Sequence, residues 1–484
     1  MSKIIYYSTN NKTERVGFRT ALMNGLASEY GLYMIDKKDI PLLAPDRITA
    51  MAYMPYAMIA FEVLNPFLKD EIAADELMQL LDDAYDEAVF PTSIQHVTGQ
   101  SHIMWLTGGP TYSFKDYAAR FFGRMLNHFL KESNQRRIVL VATSGDTGGA
   151  VADALHGLER VDNIVFFPMD SITERQRRQM TTLGSNVHAF AVNGDFDVCQ
   201  ALAKRILGNK AFAKDLFKDS DHFTSANSIS IGRLLPQAVY PFFAYSRVAK
   251  NGEPLITSIP SGNFGDMLGT MIAKNMGLPI KQIICGVNEN EEFPVFLKTE
   301  NYAVQPSVYS PSSAMIVSNP SNFARLVDFY EGHVYDARDA KGRVMQEGIV
   351  DILPNIHAMR KDIFSVSVSN PEHYHTMKEV YNRFGIIIEP HGAVGWRALD
   401  TYLEGSHDQL SVIYETADPG KFPDDVKKAI DEMPAVPAGI AKQADLTERI
   451  YRMEQPADIN SSGSLTLSDA QYIEAMDTIR SIYE

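Results

Sequence analysis

The chain has 484 residues, 45% of them hydrophobic and 22% charged, which supplies core for two to four domains and leaves no stretch whose composition suggests disorder. Its 45 basic and 60 acidic residues give a formal charge of −15, which argues against a nucleic-acid or anionic-membrane surface but is compatible with a local pocket for a phosphorylated small molecule. The two cysteines, Cys199 and Cys285, lie far apart, so neither a disulfide framework nor a cysteine metal site is expected, and a reducing cytoplasm fits best.

The opening MSKIIYYSTN lacks the long apolar core of a signal peptide and predicts a short strand at 3–7. Residues 13–27 and the acidic run 74–87 have helical spacing. Between them the most apolar stretch, 48–64, is shorter than a spanning helix and contains Pro55 and Glu62, so it reads as a buried helix pair whose methionines and tyrosines pack. Residues 1–95 therefore read as a mainly helical leading domain.

The stretch 107–123, TGGPTYSFKDYAARFFG, sets Lys115 between a Gly/Pro turn and an amphipathic run, near a helix start. Partial positive charge at a helix N-terminus disfavours an ammonium there and favours a neutral amine or a nearby anion. On its own the lysine has two readings: a solvated residue that begins a helix, or a desolvated amine able to form a Schiff base with an anionic carbonyl cofactor.

From residue 137 apolar, β-branched runs alternate with amphipathic helices. Strands are predicted at 137–143, 164–169 and 187–192, and helices at 149–158, 174–183 and 196–207. The rhythm returns with a strand at 255–259, a helix at 266–276 and strands at 282–286 and 409–415. Such alternation predicts parallel sheets covered by helices, whose ligands bind in the loops after the strands. Two of those loops are glycine-rich and open helices: Thr143-Ser144-Gly145-Asp146-Thr147-Gly148-Gly149 and Ser261-Gly262-Asn263-Phe264-Gly265-Asp266. Unpaired N–H groups at such turns cradle phosphate or carboxylate, although each turn is equally a tight strand-to-helix connection. Neither matches a dinucleotide fingerprint or the ending of a nucleotide P-loop.

Taken together, YYSTN, GGPTYSFKD, VATSGDTGGAVADAL, ERQRRQMTTLG, TSANSISIGRLLPQAVY, IPSGNFGD, NPSNFAR, EPHGAVG and ETADPGKF, in this order over most of the chain, resemble the threonine synthase family. These are pyridoxal-phosphate enzymes of fold type II, the class of the tryptophan synthase β-subunit. The resemblance implies an α/β fold with two αβα domains, largely parallel sheets around a cofactor cleft, and the mainly helical N-terminal domain at 1–95. The two interleaved lobes would occupy 96–425, the smaller at about 110–225 and the larger at about 96–109 and 226–425, followed by a C-terminal helical segment at 426–484.

By the same resemblance Lys115 matches the lysine that holds pyridoxal phosphate. Gly262, Asn263, Phe264, Gly265 and Asp266 match the loop around the cofactor phosphate, and Thr416 matches the hydroxyl on the pyridine nitrogen, with Asp146 also beside the cofactor. Thr143, Ser144, Gly145 and Thr147 match the loop for the substrate carboxylate. The implied reaction converts O-phospho-L-homoserine and water to L-threonine and phosphate, with Lys115 moving protons at Cα and Cβ. A dianionic leaving group needs cations and amides, so Arg233, Lys421 and Arg120 are candidates, joined by the neutral donors Thr111, Asn227 and Ser228. The implied partner is a small phosphorylated amino acid, with no nucleic acid and no membrane; monomer and homodimer both remain open.

His391, Asn322 and Arg325 read first as structural, the basic ERQRRQMTT as a solvated helix face, and Trp105 and Trp396 as packing. No histidine–carboxylate spacing supports a metal site. Two departures stand out. The family has histidine where this chain has Gly108, and again where it has Asp418. A carboxylate about 4 Å from a phosphate costs on the order of 4 kcal/mol, so Asp418 is expected to be paired or turned away. Three readings follow: a threonine synthase, a specialised relative that eliminates phosphate from another amino acid, and a non-catalytic binding or assembly protein that keeps the fold.

Overall fold

The computed structural model describes residues 3–217, 222–340, 342–460 and 463–483. Two sheets organise it. The smaller is entirely parallel, in the order Tyr451–Met453, Val187–Val192, Val161–Pro168, Arg137–Ala142, Phe223–Ser225. The larger runs Ile363–Ser367, Ile280–Val287, Leu255–Pro260, Ser411–Glu415, Ser101–Trp105, with the antiparallel edge strand Ser93–Thr98. Every residue of Arg137–Ala142, Leu255–Pro260 and Ser411–Glu415 is buried, the pattern of strands covered on both faces.

The ends of the chain are less helical than their sequence suggests. The leading segment holds the helices Phe18–Asn24, Tyr56–Leu68 and Ala74–Ala84, but Tyr6–Ser8 also pairs with Arg15–Val16 and Tyr33–Ile35 in an antiparallel sheet. Tyr6–Ser8 overlaps the strand expected at 3–7, whereas its two partners are too short to show a period of two. Near the other end, Tyr451–Met453 extends the smaller sheet, while helix Asp469–Tyr483 packs Tyr472, Ala475 and Ile479 into the core shared with helix Phe196–Gly208. The arginines of helix Glu174–Thr181 hold the segment before that strand, so their face is not simply solvated. Arg177 Nε donates to Glu448 at 2.9 Å, Arg178 NH1 to Glu448 at 3.2 Å, and Arg178 Nε to the Gln443 carbonyl at 3.1 Å.

The sheets matter to function through their carboxyl ends. Ser101–Trp105, Arg137–Ala142, Phe223–Ser225, Leu255–Pro260 and Ser411–Glu415 lead respectively to the lysine turn, the 143–147 loop, the 226–230 loop, the 261–265 loop and the 416–421 turn. In parallel sheets this is the edge where ligands bind. Among the described residues no helix is long and apolar enough to cross a membrane.

Candidate functional site

Lys115 opens helix Lys115–Glu132, and the residue before it is tied to two distant segments. The preceding Phe114 donates its N–H to the Thr416 carbonyl at 2.9 Å, and its own carbonyl accepts from Tyr240 Oη at 2.9 Å. The Lys115 side chain is 14% exposed, with Nζ 3.8 Å from Asp146 Oδ2. Burial draws its pKa down to about 8, helped by the Lys421 and Arg233 charges and opposed by Asp146 and Glu389. The lysine is thus buried among charges rather than solvated.

Asp146 stands at the start of helix Asp146–Leu155, three residues earlier than the sequence pattern placed that helix. Gly145 permits this with φ 132°, and a Cβ there would come within 2.5 Å of the Gln176 amide. Burial alone would raise the Asp146 pKa, but Lys421 and Lys115 outweigh it and hold the carboxyl well below its usual range. Asp146 Oδ1 accepts from Lys421 Nζ at 2.6 Å and from Gln176 Nε2 at 3.0 Å.

Lys421 is fully buried and also donates to the Thr111 carbonyl at 2.9 Å, so its ammonium is committed to protein partners. Thr111 turns its hydroxyl to Asp116, at 2.5 Å, and its carbonyl also receives Gln179 Nε2 at 3.1 Å. Asp418 caps the Lys421 turn, its Oδ1 accepting from Gly420 N at 2.7 Å. Its carboxylate is therefore engaged locally, as the departure at this position required. Arg175 of helix Glu174–Thr181 donates to the Gly420 carbonyl, closing the same turn. At the second departure, a Cβ on Gly108 would meet Pro91 at 3.0 to 3.1 Å, so this position is tight, not open.

The 261–265 loop is built to receive an anion. Among the described residues the N–H groups of Gly262, Asn263 and Phe264 have no protein acceptor, and Phe264, at φ 61°, turns the chain into helix Gly265–Asn275. A Cβ on Gly262 would lie 2.9 Å from Met315 Cα, so only glycine fits beneath that backbone. Asn263 Oδ1 accepts from Ser321 N at 3.1 Å and its carbonyl from Asn322 Nδ2 at 2.9 Å, which fixes the loop from behind. Asp266 is buried with no hydrogen-bond partner among the described residues, and burial pushes its pKa well up. A protonated carboxyl there does not repel an anion at the helix start.

The remaining residues divide by where their polar atoms go. Thr143 Oγ1 accepts from Gly145 N at 2.9 Å and Gly148 N at 2.8 Å, shaping the loop, while Ser144 and Thr147 are half-buried at its surface. Asn227 clamps both backbone groups of Ala142, at 3.0 and 2.6 Å. The Ser228 carbonyl accepts from Arg325 NH1 at 3.0 Å, and Arg325 and Asn322 serve as internal braces. Arg233 donates NH1 to the Ala226 carbonyl at 2.7 Å; burial lowers its pKa to about 10. Arg120 is directed to the Asp83 and Ala84 carbonyls, at 3.0 and 2.9 Å, outside this constellation. On the outer face of the lysine helix, Glu76, His128 and Glu132 place ligand atoms within 4.8 Å of one another, but Glu132 is already paired with Arg19. Gln176, Gln179, Arg175 and Glu389 were not legible as site residues; for the first two, the spacing of three that puts both glutamines on one helix face was the one available hint.

The carboxyl ends of two largely parallel sheets, a largely buried lysine and an open amide cradle fit pyridoxal phosphate, an anionic aldehyde. The family model described as "Pyridoxal-phosphate dependent enzyme" matches residues 105–414, which sets the class: a pyridoxal-phosphate-dependent enzyme. Models described as "Threonine synthase N terminus" and "Threonine synthase, C-terminal" match 5–85 and 392–462. The chain is 34% identical to the threonine synthase of Pseudomonas aeruginosa over 463 residues, covering 92% of this chain and 94% of that one. It is also 34% identical to that of Schizosaccharomyces pombe over 470 residues, covering 89% and 90%. The crystal structure of a threonine synthase with bound pyridoxal phosphate from Brucella melitensis superposes with a TM-score of 0.84 at 29% identity, covering 99% and 100%. The chain belongs to the threonine synthase family.

Proposed function

We propose that this chain converts O-phospho-L-homoserine and water to L-threonine and inorganic phosphate, with Lys115 as the residue that carries the cofactor and moves the protons. The observation that carries this reading is the largely buried Lys115 amine, 3.8 Å from Asp146, at a helix start whose preceding residue is tied to Thr416 and Tyr240. Bound pyridoxal phosphate supplies an electron sink that makes protons next to an amino acid's α-carbon removable.

The chain's own residues supply the rest. With its pKa near 8, Lys115 is neutral in roughly a tenth of molecules at pH 7, so it both accepts and returns protons in the range where an acid–base group is most effective. Asp146 stays ionised and offsets the Lys115 and Lys421 charges, which keeps the amine oriented. The open amides of Gly262, Asn263 and Phe264 would hold the cofactor phosphate without adding a cation, and the Thr416 hydroxyl would serve the pyridine nitrogen. Arg233 remains charged at neutral pH and is suited to the substrate's phosphate; the 143–147 loop takes its carboxylate. Asp418 caps its own turn and Gly108 sits tightly against Pro91, so neither departure removes a group this scheme uses.

Incubation of the cofactor-loaded protein with O-phosphohomoserine is expected to release threonine and phosphate in equal amounts. Release of 2-oxobutyrate in place of threonine, or no turnover by loaded protein, overturns the assignment.

A further inference from the structure

His391 belongs to none of the groups used above, yet it is buried at their edge. Its imidazole lies 5.2 Å from the Phe422 ring, centre to centre, beside Lys421, and is fixed at both nitrogens. Nε2 accepts the Ala314 N–H at 3.1 Å, which assigns the ring proton to Nδ1, and Nδ1 meets Glu389 Oε2 at 2.6 Å. Glu389 has no freedom to leave. It caps helix Pro390–Leu403, accepting from His391 N at 2.9 Å and Gly392 N at 3.0 Å, while its own N–H donates to Glu415 Oε1 at 2.9 Å.

What this grip holds is the turn Ser313–Met315, and that turn lies directly on the phosphate cradle: Met315 Cα and the Ala314 carbonyl are the atoms a Cβ on Gly262 would strike, at 2.9 and 3.1 Å. We propose that His391, gripped by Glu389, is a positioning residue for the cofactor's phosphate, setting the height of the Ser313–Met315 turn over Gly262. Ahead of this turn, Ser312 is anchored separately, by His373 Nε2 at 3.0 Å and by Asn288 Nδ2 at 3.3 Å. Loss of His391 therefore frees the middle of the turn without releasing its start. The bond it makes is to a backbone N–H with no alternative acceptor among the described residues, the kind of group that is costly to leave unpaired.

This inference rests on reading 261–265 as the phosphate cradle, and the measurements separate the two. Absorbance titration of cofactor-free protein with pyridoxal phosphate, and separately with pyridoxal, is compared for wild type, His391→Ala, His391→Asn and His391→Gln, together with amide exchange at Ala314. A glutamine oxygen reaches the place of Nε2, whereas an asparagine oxygen reaches only that of Nδ1. The expected result is a pyridoxal phosphate Kd about tenfold higher in the alanine and asparagine variants. Pyridoxal affinity should change less than about twofold, Ala314 exchange should quicken, and glutamine should restore both. Unchanged pyridoxal phosphate affinity in His391→Ala, equal weakening of pyridoxal, or failure of glutamine to rescue an otherwise folded protein overturns the positioning role. Failure of wild type itself to bind pyridoxal phosphate would instead overturn the functional reading.

Discussion

Asp146 is shared unequally between two lysines: Oδ1 is 2.6 Å from Lys421 and Oδ2 is 3.8 Å from Lys115. The shorter pair is the structural one, because Lys421 also ties the Thr111 carbonyl, while the longer one leaves the Lys115 amine free to react. This asymmetry separates the residues that build the site from the one that works in it.

Lys115→Ala should abolish borohydride-trapped cofactor and lower turnover by at least about a thousandfold, since both the covalent anchor and the proton carrier are lost. Circular dichroism should stay unchanged, because alanine favours the first turn of a helix. Retention of full activity would remove the lysine from the mechanism.

The same lysine should lower the stability of the cofactor-free protein. Its folded pKa of about 8 lies below its ordinary 10.5, so between those values the unfolded chain binds more protons and stability rises with pH. Lys115→Met should therefore be more stable than wild type at pH 7, by on the order of 3 kcal/mol, with the advantage fading toward pH 10.5. Denaturant titrations at pH 7 and pH 10 measure this; a destabilised methionine variant at pH 7 contradicts it.

Asp146→Asn should shift the Lys115 titration to lower pH, because the Asp146 charge is what raises the lysine pKa against burial. The acidic limb of the activity profile should move down, and thermal stability should fall because Lys421 loses its carboxylate. An upward shift of the limb would show that another anion governs the amine.

Asp418→His tests whether the departure from the family matters to substrate choice. Here Asp418 caps a turn through Gly420 N at 2.7 Å, so the histidine variant should lose about 1 kcal/mol of stability. Phosphohomoserine kcat/KM should change less than about threefold. A large gain in turnover would indicate that the native residue suits a different substrate.

Gly262→Ala should weaken pyridoxal phosphate binding by more than about tenfold. The added methyl meets backbone at 2.9 Å from Met315 Cα, and backbone does not rotate away as a side chain would. A spectrophotometric Kd equal to that of wild type would place the phosphate elsewhere.

The sequence was legible wherever the controlling forces are local. The buried strands Arg137–Ala142 and Leu255–Pro260, the glycine-bearing loops after them and the helix beginning at Lys115 all follow from hydrophobic runs and turn residues read a few positions at a time. The order of motifs was enough to place the chain in its family and assign pyridoxal phosphate as its cofactor. Short strands escaped: Tyr33–Ile35 and Tyr451–Met453 acquire their character from the neighbours they pair with, not from any repeat of their own.

What only the tertiary structure decided is how each charge is used. Lys421, Arg120 and Arg233 look alike in sequence as candidate phosphate ligands, but the fold commits the first to Asp146, directs the second to the Asp83 and Ala84 carbonyls and leaves the third charged beside Lys115. Asp418 reads as a threat to a bound phosphate and proves to be the cap of its own turn. The physical reason is that periodicity records which face of a segment is buried, whereas the partner and protonation of a buried polar group depend on segments brought together from distant parts of the chain.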